Sequence, residues 1–169
     1  MGGKTAMNFS LAHPDKLQKL VVVDIAPRVY NLEHYAIIKG LNAIPVLTLT
    51  SRSEAEQILS AYVPEPDVRQ FLLKNLKRQE AGFSWKINLP VIAQKLDNVG
   101  ADLQFPGKFE KPTLFIRGSR SHYITDNDRN RIKEVFPKSS LVTLDTGHWV
   151  QAEKPQEFVD VLMTWLAAH

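Results

Sequence analysis

Hydrophobic positions along this chain follow two rhythms. Three short runs are continuously apolar or β-branched: Leu20-Val21-Val22-Val23, Thr113-Leu114-Phe115-Ile116 and Ser140-Leu141-Val142-Thr143-Leu144. A run without alternation predicts a strand covered on both faces, as in a parallel sheet. The first run stops at Asp24-Ile25-Ala26-Pro27 and the second at Arg117-Gly118-Ser119. Helical spacing predicts helices over 3–13, 32–41, 53–62, 66–80, 89–98, 125–136 and 155–168. In the last of these, Phe158, Val159, Leu162, Trp165 and Leu166 make a stripe, read as core packing. Asp126 and Asp128 stand near the start of the 125–136 helix, where the helix dipole favours acids.

The resulting order is helix, strand, long helical insert, strand, helix, strand, helix. Strands alternating with helices predict an α/β protein with a parallel sheet and right-handed crossovers. From about 30 to 105 no buried-strand pattern occurs, and Pro and Gly separate the helical stretches. Three strands make a small sheet for 169 residues, and no strand feeds the first helix. The sheet is therefore expected to continue in sequence upstream of Met1.

Composition narrows the class. A chain of 169 residues suits one domain with a core of its own, and 44% hydrophobic with 23% charged residues is a globular balance. The net charge is only +3. The densest basic stretch, Lys74-Asn75-Leu76-Lys77-Arg78-Gln79, reads as the solvated face of a helix, so a nucleic-acid partner is not indicated. With no cysteine there is no disulfide framework, thiolate metal site or Cys nucleophile, which fits a cytoplasmic setting. No run of about 18 apolar residues exists, so no transmembrane helix is expected, and the N-terminus lacks a signal-peptide pattern.

Two residues stand where α/β proteins place their chemistry, after the carboxyl ends of strands. His148 sits at the tip of the turn in Leu144-Asp145-Thr146-Gly147-His148-Trp149. An imidazole there can act as a general base near neutral pH, or can be a turn histidine bonded for structure. Asp24 directly follows the first strand. It can orient a histidine and stabilise its charged form, or serve as a turn or cap residue. His13, His34 and His169 have no partner pattern, and no His/Asp/Glu cluster has metal-ligand spacing.

The opening Met1-Gly2-Gly3-Lys4-Thr5-Ala6-Met7 resembles the segment just after the serine in the Gly-x-Ser-x-Gly nucleophile elbow of α/β-hydrolases. The order of that elbow, Ser then Asp then His, is matched by a serine before Met1, then Asp24, then His148. The ending TGHWVQAEKPQEFVDVLMTWL is similar to the last turn and helix of the fold, with Glu153-Lys154-Pro155 opening the helix. Most such enzymes carry the acid after the next-to-last strand, where this chain reads Gly118-Ser119-Arg120-Ser121, with Ser121 in the acid's place. A smaller branch carries it one strand earlier, in a strand-Asp-Ile-Ala-Pro motif. VVVDIAP resembles it, as do FSWKINLPVI at 83–92 and IRGSRSHYI at 116–124. The branch comprises small bacterial acyl-ester and acyl-thioester hydrolases with mitochondrial relatives, and the resemblance covers essentially the whole chain.

The resemblance implies an α/β-hydrolase fold, of which this chain is the C-terminal part of a mostly parallel sheet flanked by helices. The core would be 1–29 and 107–169, and 30–106 a helical cap. It implies a serine hydrolase of carboxylic esters or acyl thioesters that needs no cofactor. The serine would lie just upstream of Met1, His148 would be the base and Asp24 the acid. The Met1 N–H would donate to the oxyanion, and an upstream loop would supply the second donor. Gly2 and Gly3 would let the helix pack tightly on a strand. Tyr30, Phe71, Phe83 and Trp85, with Tyr35, Ile37, Ile38 and Leu72, would line an apolar acyl pocket. His122 and Tyr123 would stand at its mouth and Trp149 beside the base. Ser10 is no substitute nucleophile, being roughly 15 Å down the helix at 1.5 Å per residue, and Ser119 and Ser121 follow a different strand. The partners implied are a small acyl ester or thioester and the missing N-terminal half of the fold. Two alternatives stay open. One is a cap-bearing hydrolase of other chemistry, such as C–C hydrolysis or dehalogenation. The other is a non-catalytic fragment or subunit that needs a partner chain.

Overall fold

A computed structural model describes residues 1–30 and 34–169. The chain divides into two compact units, a sheet unit of Met1–Tyr30 with Ala101–His169 and a helical unit of Asn31–Gly100. In the sheet unit, helix α1 (Gly2–Ala12) leads to β1 (Leu20–Val23), and the chain returns to β4 (Thr113–Gly118), α7 (Arg129–Val135), β5 (Ser139–Leu144), α8 (Val150–Glu153) and α9 (Pro155–Ala168). A 3₁₀ turn, Asp126–Asp128, precedes α7 where one continuous helix is expected. Its cap is set by Asp128, whose carboxylate accepts the Thr125 N–H and hydroxyl at 2.7 and 2.9 Å.

The three predicted strands form one parallel sheet in the order β1-β4-β5, with Val22 opposite Phe115 and Ile116 opposite Val142. β4 is central and almost wholly buried. Successive side chains point to opposite faces, so each apolar run feeds two cores. Leu20, Val22 and Phe115 pack with Met7 of α1 and with Ile132, Val135 and Phe136 around α7. Leu114 and Ile116 pack with Leu144, Val150 and Trp165, joined by Val21, Val23 and Phe158 under α9. The expected stripe of α9 is thus divided. Trp165 is buried, whereas Val159 and Leu166 are exposed. Among the described strands β1 is an edge, paired on one side only.

Gly3 sets the approach of α1 to β1, because a Cβ there would lie 2.3 Å from Ile25 Cγ2. Gly2, expected to serve the same packing, would meet nothing within 4 Å. One turn of helix beyond the opening, the buried Lys4 ammonium donates to the carbonyls of Arg28 and Ala101. Those carbonyls lie where the chain leaves the sheet unit and where it re-enters it.

The helical unit contains α2 (Tyr35–Ala43), α3 (Arg52–Ser60), α4 (Pro66–Leu73), β2 (Leu76–Arg78), β3 (Phe83–Trp85), α5 (Leu89–Gln94) and α6 (Leu96–Gly100). The start of the helix expected over 32–41 lies outside the described residues. Two expectations are corrected. The helix read over 66–80 ends at Leu73, and the basic stretch 74–79 enters an antiparallel hairpin, β2–β3. The turn of that hairpin uses Gly82 at φ 68, a left-handed conformation that glycine adopts without steric cost. The helix read over 89–98 is two short helices. The unit has its own core, with Leu41, Leu49, Leu59, Leu76 and Phe83 among its buried members. Ser51 caps α3 by accepting the Glu54 N–H at 3.1 Å. Among the described residues no helix is long and apolar enough to cross a membrane.

Candidate active site

The site forms where the sheet's carboxyl ends run out. Asp24 is the first residue past β1, and its N–H still donates to Ile116 O at 2.8 Å, continuing the strand ladder. Its backbone then turns left-handed at φ 48, the one non-glycine residue with positive φ among those described. Aspartate tolerates this conformation better than most residues, yet it still costs on the order of 1 kcal/mol. The carboxylate is fully buried. Burial of an ion is tolerable only with partners around it, and three converge here. Gly118 N–H donates to Oδ1 at 3.1 Å, the Ser121 hydroxyl donates to Oδ2, and His148 Nδ1 lies 2.8 Å from Oδ2. Because a carboxylate only accepts, the contact needs a proton on Nδ1, and in the neutral imidazole Nε2 then carries the lone pair.

His148 reaches this position on a turn held from below. Ser119 N–H and Arg120 N–H donate to Leu144 O and Thr146 O, joining the ends of β4 and β5. The approach is so close that a Cβ on Gly118 would stand 2.2 Å from Gly147 O. Both oxygens of Glu153 receive the Gly147 N–H, at 2.9 and 3.0 Å. Glu153, expected to open the last helix, ends α8 instead, and α9 begins at Pro155. Arg120 ties Glu153, at 2.8 Å, to Asp145.

The aromatic neighbours differ in their roles. Tyr123, expected at a pocket mouth, lays its ring on the imidazole, with centroids 4.2 Å apart and planes 31° apart. Nearly half of the His148 side chain remains exposed. Tyr30 accepts the Ala26 N–H at 2.7 Å and donates to the Tyr123 carbonyl. Burial pushes the Tyr30 phenol up to about 12, partly offset by the Ala26 N–H and the Arg28 charge. Arg28 lies over the Tyr30 ring, 4.0 Å from its centroid, and pairs with the buried Asp128 at 2.8 Å. The His122 side chain is exposed, with its carbonyl accepting from Arg28 at 3.3 Å. Trp149 is half-buried beside His148. Met1 is the N-cap residue of α1, at the positive end of that helix. Phe71, Phe83 and Trp85 belong to the helical unit, where Phe83 is buried in the unit's own core, Trp85 packs against that core, and Phe71 is exposed.

Sequence reasoning placed Asp24 and His148 but missed the Ser121 hydroxyl as a partner of the acid. It also missed the Tyr30–Tyr123 link and the Glu153 support. The departure of Ser121 from the usual acid was the available signal for the first; the others join loops that no spacing connects.

No protein-family model matches the chain. It is 37% identical over 174 residues to the sn-1-specific diacylglycerol lipase ABHD11 of Mus musculus, covering 99% of this chain and 57% of that protein. It is 32% identical over 168 residues to Esterase YbfF of Escherichia coli strain K12, covering 98% of this chain and 64% of that one. A solved marine microorganism esterase superposes with a TM-score of 0.91 at 40% identity, over 96% of this chain and 66% of that one. The chain thus spans between about half and two thirds of the length of these relatives.

Proposed function

The chain belongs to the α/β-hydrolase superfamily, and from that premise we propose that it carries the acid and the base of a serine hydrolase acting on carboxylic esters or acyl thioesters. The observation that carries the reading is the 2.8 Å contact between His148 Nδ1 and the buried Asp24. Esters come first because the relatives named above are called esterases and a lipase.

On this reading a serine Oγ attacks the acyl carbon while His148 Nε2 takes its proton. The imidazolium so formed is stabilised by Asp24, which stays ionised. The proton then passes to the departing alkoxide or thiolate, and water repeats the sequence on the acyl-serine. The Met1 amide, at the N-terminus of α1, is one donor to the tetrahedral oxyanion. Among the described residues, the three serines weighed as alternative nucleophiles have other partners. Ser10 donates to Met7 O, Ser119 to Asp145 and Ser121 to Asp24. On this reading the nucleophile lies outside residues 1–169, in the part of the relatives' length that this chain does not span. The helical unit is then the cap domain, with the exposed Phe71 its candidate acyl contact, and within the sheet unit Tyr123 and Trp149 stand beside the base.

Fluorophosphonate labelling of a polypeptide that includes this chain and hydrolyses p-nitrophenyl acetate tests the assignment. The expected adduct is on a serine outside residues 1–169, and it is lost in His148→Ala. An adduct on Ser10, Ser119 or Ser121 that accompanies turnover would overturn the assignment.

A further inference from the structure

We propose that Tyr30 is a positioning residue for the His148 imidazole, acting through Tyr123. The inference rests on the hydrolase reading and adds to it a second restraint on the base, besides Asp24. Asp24 holds the ring at one nitrogen only, and about half of the side chain faces solvent. One hydrogen bond leaves the ring free to tilt about the Nδ1–Oδ2 axis. The Tyr123 ring closes that freedom by lying against one imidazole face at 4.2 Å.

Tyr123 is itself held by Tyr30 in two ways. The Tyr30 hydroxyl donates to the Tyr123 carbonyl, and the two rings meet at 5.6 Å. The same hydroxyl accepts the Ala26 N–H, two residues beyond Asp24. One phenol oxygen therefore joins the loop that carries the acid to the loop whose Ser121 and Tyr123 touch the acid and the base. That oxygen must keep its proton to donate, and burial ensures it does throughout the working range of a hydrolase. The Tyr30 ring also lies under Arg28, which the buried Asp128 anchors. The loop it clamps also begins at the left-handed Asp24, a conformation that persists only when its surroundings hold it.

The test uses the active polypeptide and p-nitrophenyl acetate, whose small acyl group makes little use of a pocket. Tyr30→Phe keeps the ring and removes both hydrogen bonds. It is expected to lower kcat about tenfold or more, since small misplacement of a catalytic group is costly, and to leave KM within about twofold. The low-field proton NMR resonance of His148 Nδ1–H is expected to broaden or disappear at a temperature where the variant remains folded. Tyr123→Leu should show the same pattern, and Tyr123→Phe should recover most of the kcat that Tyr123→Leu loses. Wild-type kcat with an unchanged low-field resonance in Tyr30→Phe would overturn the proposal. So would a loss confined to KM, which would make Tyr30 a substrate contact. Asp24→Asn in the same assay separates the two levels: full activity there refutes the acid–base reading itself.

Discussion

Each partner of the Asp24 carboxylate is a separate lever on the proposed base. The hydroxyl of Ser121 donates to the same oxygen that His148 meets. Hydrogen bonds to a charged group contribute about 1.5–3 kcal/mol, so Ser121→Ala is expected to lower kcat/KM on a small ester by roughly tenfold or more. A change smaller than about twofold in steady-state kinetics would show that the other two donors suffice. Asp126 and Asp128 sit two residues apart and should behave differently. Asp126 is exposed and pairs with Arg117 and Arg129 at the surface, where ion pairs contribute little. Asp128 is buried, caps the turn before α7 and holds Arg28. Both read alike in the sequence, as acids near a helix start. Thermal unfolding should place Asp126→Asn near the wild type and Asp128→Asn below it by an amount equivalent to about 1–3 kcal/mol, the scale of a buried charged partner lost.

At the scale of elements, the loops after β1, β4 and β5 act as one platform. Gly118→Ala would push a Cβ into the Gly147 and Thr146 carbonyls at 2.2 and 2.5 Å, both backbone atoms that cannot swing aside. Overpacking of this kind costs roughly 1–3 kcal/mol and should displace the His148 turn. The check is kinetic, as kcat should fall further than KM rises. Tyr30 gives a pH signature. Its folded-state value lies above the ordinary 10.0, at about 12, so the folded state holds the proton more tightly. The stabilisation this brings is complete below pH 10.0 and is lost as the pH rises through about 12. Asp24, Asp128, Arg28 and Lys4 surround the phenol in both wild type and Tyr30→Phe, so their own effects largely cancel in the difference. The gap in unfolding midpoint between the two proteins should therefore narrow between pH 10 and 12. The strands were legible in the sequence because both faces of each are covered, which writes a continuous apolar run. The β2–β3 hairpin was not. Each of its strands is three residues long, too short to display alternation. Leu72, Leu73 and Leu76 also fall at helical spacing, so the stretch continued the pattern of α4. Asp24 and His148 were legible because Asp24 directly follows β1 and His148 stands in the turn after β5. The Ser121–Asp24 and Tyr30–Tyr123 links join residues 97 and 93 positions apart, and no local pattern marks them.

At the scale of the whole molecule, the helical unit has a core of its own, which sets its buried aromatics apart from its exposed ones. Phe83 is buried in the helical unit, so Phe83→Ala should destabilise that unit by roughly 3–5 kcal/mol and lower activity on all acyl chain lengths alike. Phe71 is exposed, and Phe71→Ala should alter preference for long acyl chains with little effect on stability. Equal effects of Phe71→Ala on acetate and longer esters would remove it from the acyl pocket. The account as a whole depends on the pair formed by Asp24 and His148. Its most direct test is kcat/KM for p-nitrophenyl acetate in the active polypeptide, compared among the wild type, Asp24→Asn and Asp126→Asn, with folding verified by circular dichroism. The prediction is a loss on the order of 10⁴ for folded Asp24→Asn, as for a triad acid, and a change within about twofold for Asp126→Asn. Near-wild-type activity in Asp24→Asn, or a crippled Asp126→Asn, would contradict it.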